Sequence, residues 1–241
     1  MLTRRHIRVK VMQSIYALVQ SKDDSLQRQE KFLKVSIENT YTLYLLWLSL
    51  FVEIQKRAAE QISLSAKKYI SDGKQEFPNP KKFVQNRLLV QILENKTLEE
   101  EISNRKLDNW YLNEEYVKLI YKDIIESETY KEYMSTPESN YAADKELILT
   151  LFKNIIAPNE KIYDYFEDDK LTWVDDIPIV NTFLLKHLKK VKQVHPDSYF
   201  LPSLLKDDED MTYAMQLLSR TLLKNDALEK TKKLDDVCDE E

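Results

Sequence analysis

The chain has 241 residues and a single glycine, Gly73. Tight primed turns between β-strands need residues at positive φ, and glycine is the residue that adopts it without cost. A chain with one glycine has little turn chemistry of that kind, so a β-rich fold is disfavoured. The same shortage removes two nucleotide-binding devices. A phosphate-cradling P-loop and a dinucleotide fingerprint both need several glycines, because backbone must approach the phosphates closely. Abundant Leu, Lys, Glu and Gln and long proline-free stretches predict an all-α protein. Hydrophobic residues make up 43% of the chain, with 14 Tyr, 8 Phe and 3 Trp, enough to pack a core. The expected fold is a multi-helix bundle, or two helical subassemblies joined near residues 71–80.

Apolar spacing places the helices. Residues 4–20 form a first helix with Thr3 as N-cap, and Ile7, Val11, Ile15 and Leu18 give it one apolar stripe. A long helical region follows over 25–69, with Asn39–Thr40 as the one place where it would break. The stretch "SDGKQEFPNP", 71–80, is the clearest loop, since it brings the glycine together with Pro78 and Pro80. Helices are expected over 81–95, 97–106, 113–126, 140–156, 158–168, 173–193 and 207–226, with one short piece in 127–139. The domain organisation expected is therefore an N-terminal helical region (1–70), the loop, a second helical region (81–226) and a charged, frayed tail (227–241).

Several classes of function lack support in the sequence. The one cysteine, Cys238, rules out a disulfide framework within the chain and fits a reducing, cytoplasmic setting. His6, His187 and His195 have no Cys or carboxylate cluster at ligand spacing, so no metal site is expected. The N-terminus lacks the apolar segment of a signal peptide. The most hydrophobic run, "YTLYLLWLSLFVEI" (41–54), falls short of the roughly 20 residues that span a membrane and reads as a core helix. Asp168, Asp169, Asp175 and Asp176 lie close in sequence, but their spacing matches no ligand scheme and they read as solvated helix ends. The "DDEDM" run (207–211) reads as first-turn helix acids. His187, in "LLKHLKK", has no nucleophile nearby and reads as a helix-face residue. No catalytic residues and no cofactor are expected.

The first helix is different. The chain carries a formal net charge of −5, yet Arg4, Arg5, His6, Arg8 and Lys10 come before any acid, the first being Asp23. Cations at a helix N-terminus oppose the macrodipole, and clustered cations repel one another. Two readings remain open. In one, the helix end is a solvated basic surface, or is balanced by acids from another helix. In the other, the arginines bind phosphates, with Gln13 and Tyr16 beside them to reach or stack on bases. Tyr16 itself fits either the core or an RNA path.

The stretch "RRHIRVKVMQSIYA" resembles the opening of the NusB family of transcription antitermination factors, which begins with an arginine-rich helix followed by a Gln and a Leu-Tyr or similar pair. The matching positions are Arg4, Arg5, Arg8, Gln13 and Tyr16. "EKFLKVSIENTYTLYLLWLSL" (30–50), "PNPKKFVQNRLL" (78–89) and "LLKDDEDMTYAMQLLSRTLL" (204–223) are similar to a longer NusB-like variant with extra internal helices. The resemblance implies an all-helical fold, no enzymatic activity, and binding to boxA-type single-stranded RNA of ribosomal RNA transcripts. It also implies a partner, the small-subunit ribosomal protein NusE, and assembly into an antitermination complex with RNA polymerase. On this reading Arg4, Arg5 and Arg8 hold phosphates, with Lys10 in the same basic patch, and Gln13 and Tyr16 lie along the RNA. The family's usual second helical bundle, with its Arg-centred helix and "INE" and "NG" elements, is not found after Asp226. A truncated or diverged copy is expected, to which the NusE contacts do not transfer. The alternative function is a helical protein-interaction module without RNA binding.

Overall fold

The computed structural model describes residues 1–21, 25–68 and 77–238. Among them there are eleven α-helices and no strand, and the protein is an all-α multi-helix bundle. The order is α1 (Arg4–Ser21), α2 (Leu26–Lys68), α3 (Arg87–Leu93), α4 (Lys96–Asn104), α5 (Asn109–Leu112) and α6 (Glu114–Glu126). It continues with α7 (Glu128–Met134), α8 (Tyr141–Leu151), α9 (Glu160–Asp169), α10 (Ile177–Lys190) and α11 (Asp210–Cys238). A π-helical turn, Phe152–Ile156, extends α8, and 3-10 turns occupy Leu171–Trp173 and Asp197–Phe200.

The chain divides into two compact units, Met1–Tyr41 with Ser203–Glu241, and Thr42–Pro202. The loop expected at 71–80 falls inside the second stretch, and residues 71–76, with Gly73, lie outside the described residues. No break occurs at Asn39–Thr40. Helix α2 runs through, and Thr40 turns its hydroxyl back onto the Ser36 carbonyl at 3.3 Å, which leaves the main-chain ladder intact. Helix α11 extends to Cys238, past the Asp226 limit expected from sequence.

Helix boundaries follow from caps. Asn86 accepts from the Leu88 and Leu89 N–H groups at 3.1 and 3.2 Å, so α3 starts at Arg87 rather than at 81. Asn95, Ser127, Asn140 and Asn159 cap α4, α7, α8 and α9 in the same way. Helix α4 ends in a Schellman motif. Leu107 N–H donates to Ile102 at 3.1 Å and Lys106 N–H to Ser103 at 3.0 Å. The motif forces Lys106 to φ 54°, a left-handed position taken here without glycine.

In the second unit the core is aromatic. Trp47 meets Phe152 and Phe166 edge-on, at centroid distances of 5.3 and 5.0 Å, and Trp173 and Trp110 close on Phe166 at 5.5 and 5.9 Å. Trp110 donates its indole N–H to the Leu46 carbonyl at 2.9 Å. Every residue of α2 from Leu43 to Leu50 is buried, the mark of a helix enclosed on all sides. Among the described residues no helix is long and apolar enough to cross a membrane.

In the first unit α1 packs along α11. Ile7, Val11, Ala214 and Leu218 are buried there, as are Leu33 and Ile37 of α2. Leu2 is fully buried and pairs with Leu205 as a single parallel bridge, its N–H donating to the Leu204 carbonyl at 2.7 Å.

Candidate nucleic-acid interface

At the start of α1 the His6 side chain turns back onto the residue before the helix. The Thr3 carbonyl accepts the Ile7 N–H at 3.0 Å, and the Thr3 N–H donates to Nδ1 of His6 at 3.3 Å. An imidazole thus fills the place that Glu takes in a capping box.

Successive residues turn by 100°. Ile7, Lys10, Val11 and Ser14 form the buried face of α1. The opposite arc carries Arg5, Arg8, Val9, Met12, Tyr16 and Val19, all exposed. The six residues proposed from sequence therefore separate. Arg5, Arg8 and Tyr16 share the exposed face, and Tyr16 is 66% exposed, which removes it from the core. Arg8 donates Nε to the Arg4 carbonyl at 3.4 Å. Lys10 is 3% exposed and sits on the packed side. Charge type placed it in the basic patch, but its position between Ile7 and Val11 on the wheel places it inside. Gln13 is half-buried on the flank, away from the two arginines.

Arg4 has a structural partner. Its Nε donates to Oδ1 of Asp210 at 3.0 Å, and its guanidinium lies 5.3 Å from the centre of the Tyr213 ring. Asp210 is fully buried and also accepts the Asp207 N–H at 3.2 Å, closing the turn that starts α11. The hydrogen bond from Arg4 holds the Asp210 carboxyl below the usual carboxylate range, and the pair raises the Arg4 guanidinium further. The basic cluster is thus balanced in part by an acid from another helix. Sequence reading placed Asp210 correctly in a first turn, but α1–α11 adjacency is a long-range contact with no local signal. The second apolar stripe, Val9, Met12, Tyr16 and Val19, was also missed. Its 3-4-3 spacing is legible in the sequence, beside the stripe that packs.

A second polar cluster lies in the other unit. Asp144, 1% exposed, accepts the Tyr133 hydroxyl at 2.7 Å, the Arg87 N–H at 3.0 Å and the Ser139 hydroxyl. Lys82, 5% exposed, donates to the Tyr133 carbonyl, the Thr136 carbonyl at 2.9 Å and the Thr136 hydroxyl at 2.7 Å. Burial raises the Tyr133 phenol and lowers the Lys82 ammonium. Lys82, Arg87, Ser139 and Asp144 border a pocket of about 230 Å³, but the polar groups of the cluster are engaged by protein partners and hold α3, α7 and α8 together. Among the described residues no three His, Cys, Asp or Glu side chains are placed to hold a metal ion, and Asp169 is engaged by Lys170 at 3.1 Å.

Compared with family models, characterised proteins and solved structures, the chain matches none. The fold and this surface define an all-helical protein with one outward face that is both basic and apolar.

Proposed function

We propose that the protein is an RNA-binding transcription antitermination factor of the NusB type. In this role it acts without catalysis, in the cytoplasm, with NusE and RNA polymerase on boxA-type RNA of ribosomal RNA transcripts. The observation that carries the proposal is the outward arc of α1, where Arg5, Arg8 and Tyr16 share one exposed face on a helix without an acid. Two guanidinium groups hold adjacent phosphates, and an exposed phenol offers a base a stacking surface, each such stack being worth about 1–3 kcal/mol. Arg4, tied to Asp210, orients the helix end and contributes charge rather than a free fork. The acidic remainder of the chain repels polyanions elsewhere and directs them to basic surfaces.

Ultraviolet cross-linking of the protein to a boxA-type RNA, followed by peptide mass spectrometry, tests the assignment. The expected adduct is on Tyr16. Cross-links confined to other peptides, or none at all, would remove α1 from the RNA path.

One observation favours the second reading, a protein-interaction module. Val9, Met12, Tyr16 and Val19 are 39%, 63%, 66% and 60% exposed, and a contiguous apolar arc of this kind marks a docking surface for protein. Met12→Ser with Val19→Ser, which removes the apolar surface without adding charge beside the arginines, separates the two. If α1 docks NusE, retention on NusE is lost while RNA binding by Arg5 and Arg8 remains.

A further inference from the structure

A second basic surface lies at the end of α10, outside the α1 patch. Residues 177–196 contain no Asp or Glu but carry Lys186, Lys189, Lys190 and Lys192 with His187 and His195. The four lysines are exposed, and none forms an ion pair among the described residues. Lys186, Lys189 and Lys190 fall within about 100° of arc at the helical 100° step, and Lys192 follows just beyond the helix end.

The ordinary explanation for cations here is the helix dipole, which favours them in a last turn. Part of that role is already filled by a residue of another helix. Lys145, from α8, donates Nζ to the Lys189 and Val191 carbonyls at 3.0 Å each and so caps the end of α10. The remaining lysines crowd one another at i,i+3 and i,i+4 spacing, which opposes the helix. Beside them a stack of rings makes a rigid support. Phe183 lies on His187 at 5.6 Å, His187 on Tyr199 at 4.9 Å and Tyr199 on His195 at 3.9 Å. His187 is tied to the Tyr199 carbonyl at 2.8 Å, and His195 Nδ1 accepts the Lys192 N–H at 3.1 Å. The chain after α10 is thereby folded back, and Lys192 is held next to the helix end.

We propose that Lys186, Lys189, Lys190 and Lys192 form a second anion-binding surface that holds the phosphodiester backbone of single-stranded RNA. The surface binds backbone charge and reads no sequence, since lysines act on phosphates as point charges. The choice of RNA as the polyanion rests on the function proposed above, whereas the lysine cluster and its rigid support stand on their own geometry.

The test is fluorescence anisotropy of the full chain with a labelled mixed-sequence single-stranded RNA over a salt series. It compares wild type, Lys186→Gln/Lys189→Gln/Lys190→Gln/Lys192→Gln, Arg5→Ala/Arg8→Ala, and the two sets combined. A circular dichroism spectrum of each shows that the fold is kept. Taking four lysines off the phosphates of single-stranded RNA lowers the log–log salt slope by about 2.8. The proposal expects that decrease in the lysine variant, and expects it again in the Arg5/Arg8 background. If the lysine variant keeps the wild-type slope while Arg5→Ala/Arg8→Ala reduces it, the α10 surface is overturned and the α1 reading stands. If binding depends on the lysines alone, the proposal stands and α1 is not an RNA site. If wild type binds no RNA, or the lysines instead govern binding to phosphatidylserine vesicles, the proposal is overturned.

Discussion

At the scale of single residues, the Arg4–Asp210 pair has a pH signature. Asp210 titrates below its unfolded value, which for an aspartate is about 3.9. A carboxyl depressed on folding contributes stability that is present above that value and is lost as pH falls through its folded pKa. Urea unfolding of wild type and Arg4→Ala is therefore expected to show a gap at neutral pH that closes in the acid range. A gap independent of pH would mean that Arg4 acts through packing on Tyr213 alone. Asp144 is a larger case. Replacing it by Ala leaves the Tyr133 and Ser139 hydroxyls and the Arg87 N–H without their buried acceptor. The expected loss is about 3 kcal/mol of unfolding free energy, read from urea denaturation. A loss below about 1 kcal/mol would mean that water replaces the carboxylate. Neither partnership was legible in the sequence. Asp144 and Asp210 are chemically like the many exposed acids around them, and only the fold places donors against them.

At the scale of elements, what the sequence showed and what it hid have a common cause. The all-buried centre of α2 is a local pattern and appears where the sequence put it, whereas of the expected α1 stripe Ile7 and Val11 are buried and Ile15 and Leu18 half-buried, and α11 starts at Asp210, three residues later than expected, with only that acid of the run in its first turn. Helix starts were misplaced where an asparagine cap decides them, as at Asn86, because a capping residue and a mid-helix asparagine look alike without their neighbours. Charge type put Lys10 in the basic patch though it packs inside, and Tyr16 fits core or surface from sequence, because α1 is apolar on two sides and period alone does not say which side packs. The end of α4 yields a prediction. Lys106 sits at φ 54°, where a Cβ is costly and glycine is not. Lys106→Gly is expected to stabilise the protein by roughly 0.5–1 kcal/mol, since relief of the left-handed strain exceeds the added freedom of the unfolded chain. An unchanged or lower urea midpoint would show that the Lys106 side chain stabilises the fold through its own packing.

At the scale of the whole molecule, charge is distributed unevenly. The formal net charge is −5, yet residues 1–22 and 177–196 are both free of acids, and each lies in its own compact unit. In an acidic protein such surfaces are the places where a polyanion would be held, and salt dependence would count the phosphates engaged. The central claim is that Arg5 and Arg8 on α1 hold RNA. The most direct measurement is an anisotropy titration of a labelled boxA-type RNA at two salt concentrations, with wild type and Arg5→Ala/Arg8→Ala. Two neutralised phosphates account for about 1.4 units of log–log slope on single-stranded RNA, so the variant is expected to bind more weakly at low salt with its slope reduced by that amount. Equal affinity and equal slope for the two proteins would contradict the claim and leave α1 as a docking surface for protein.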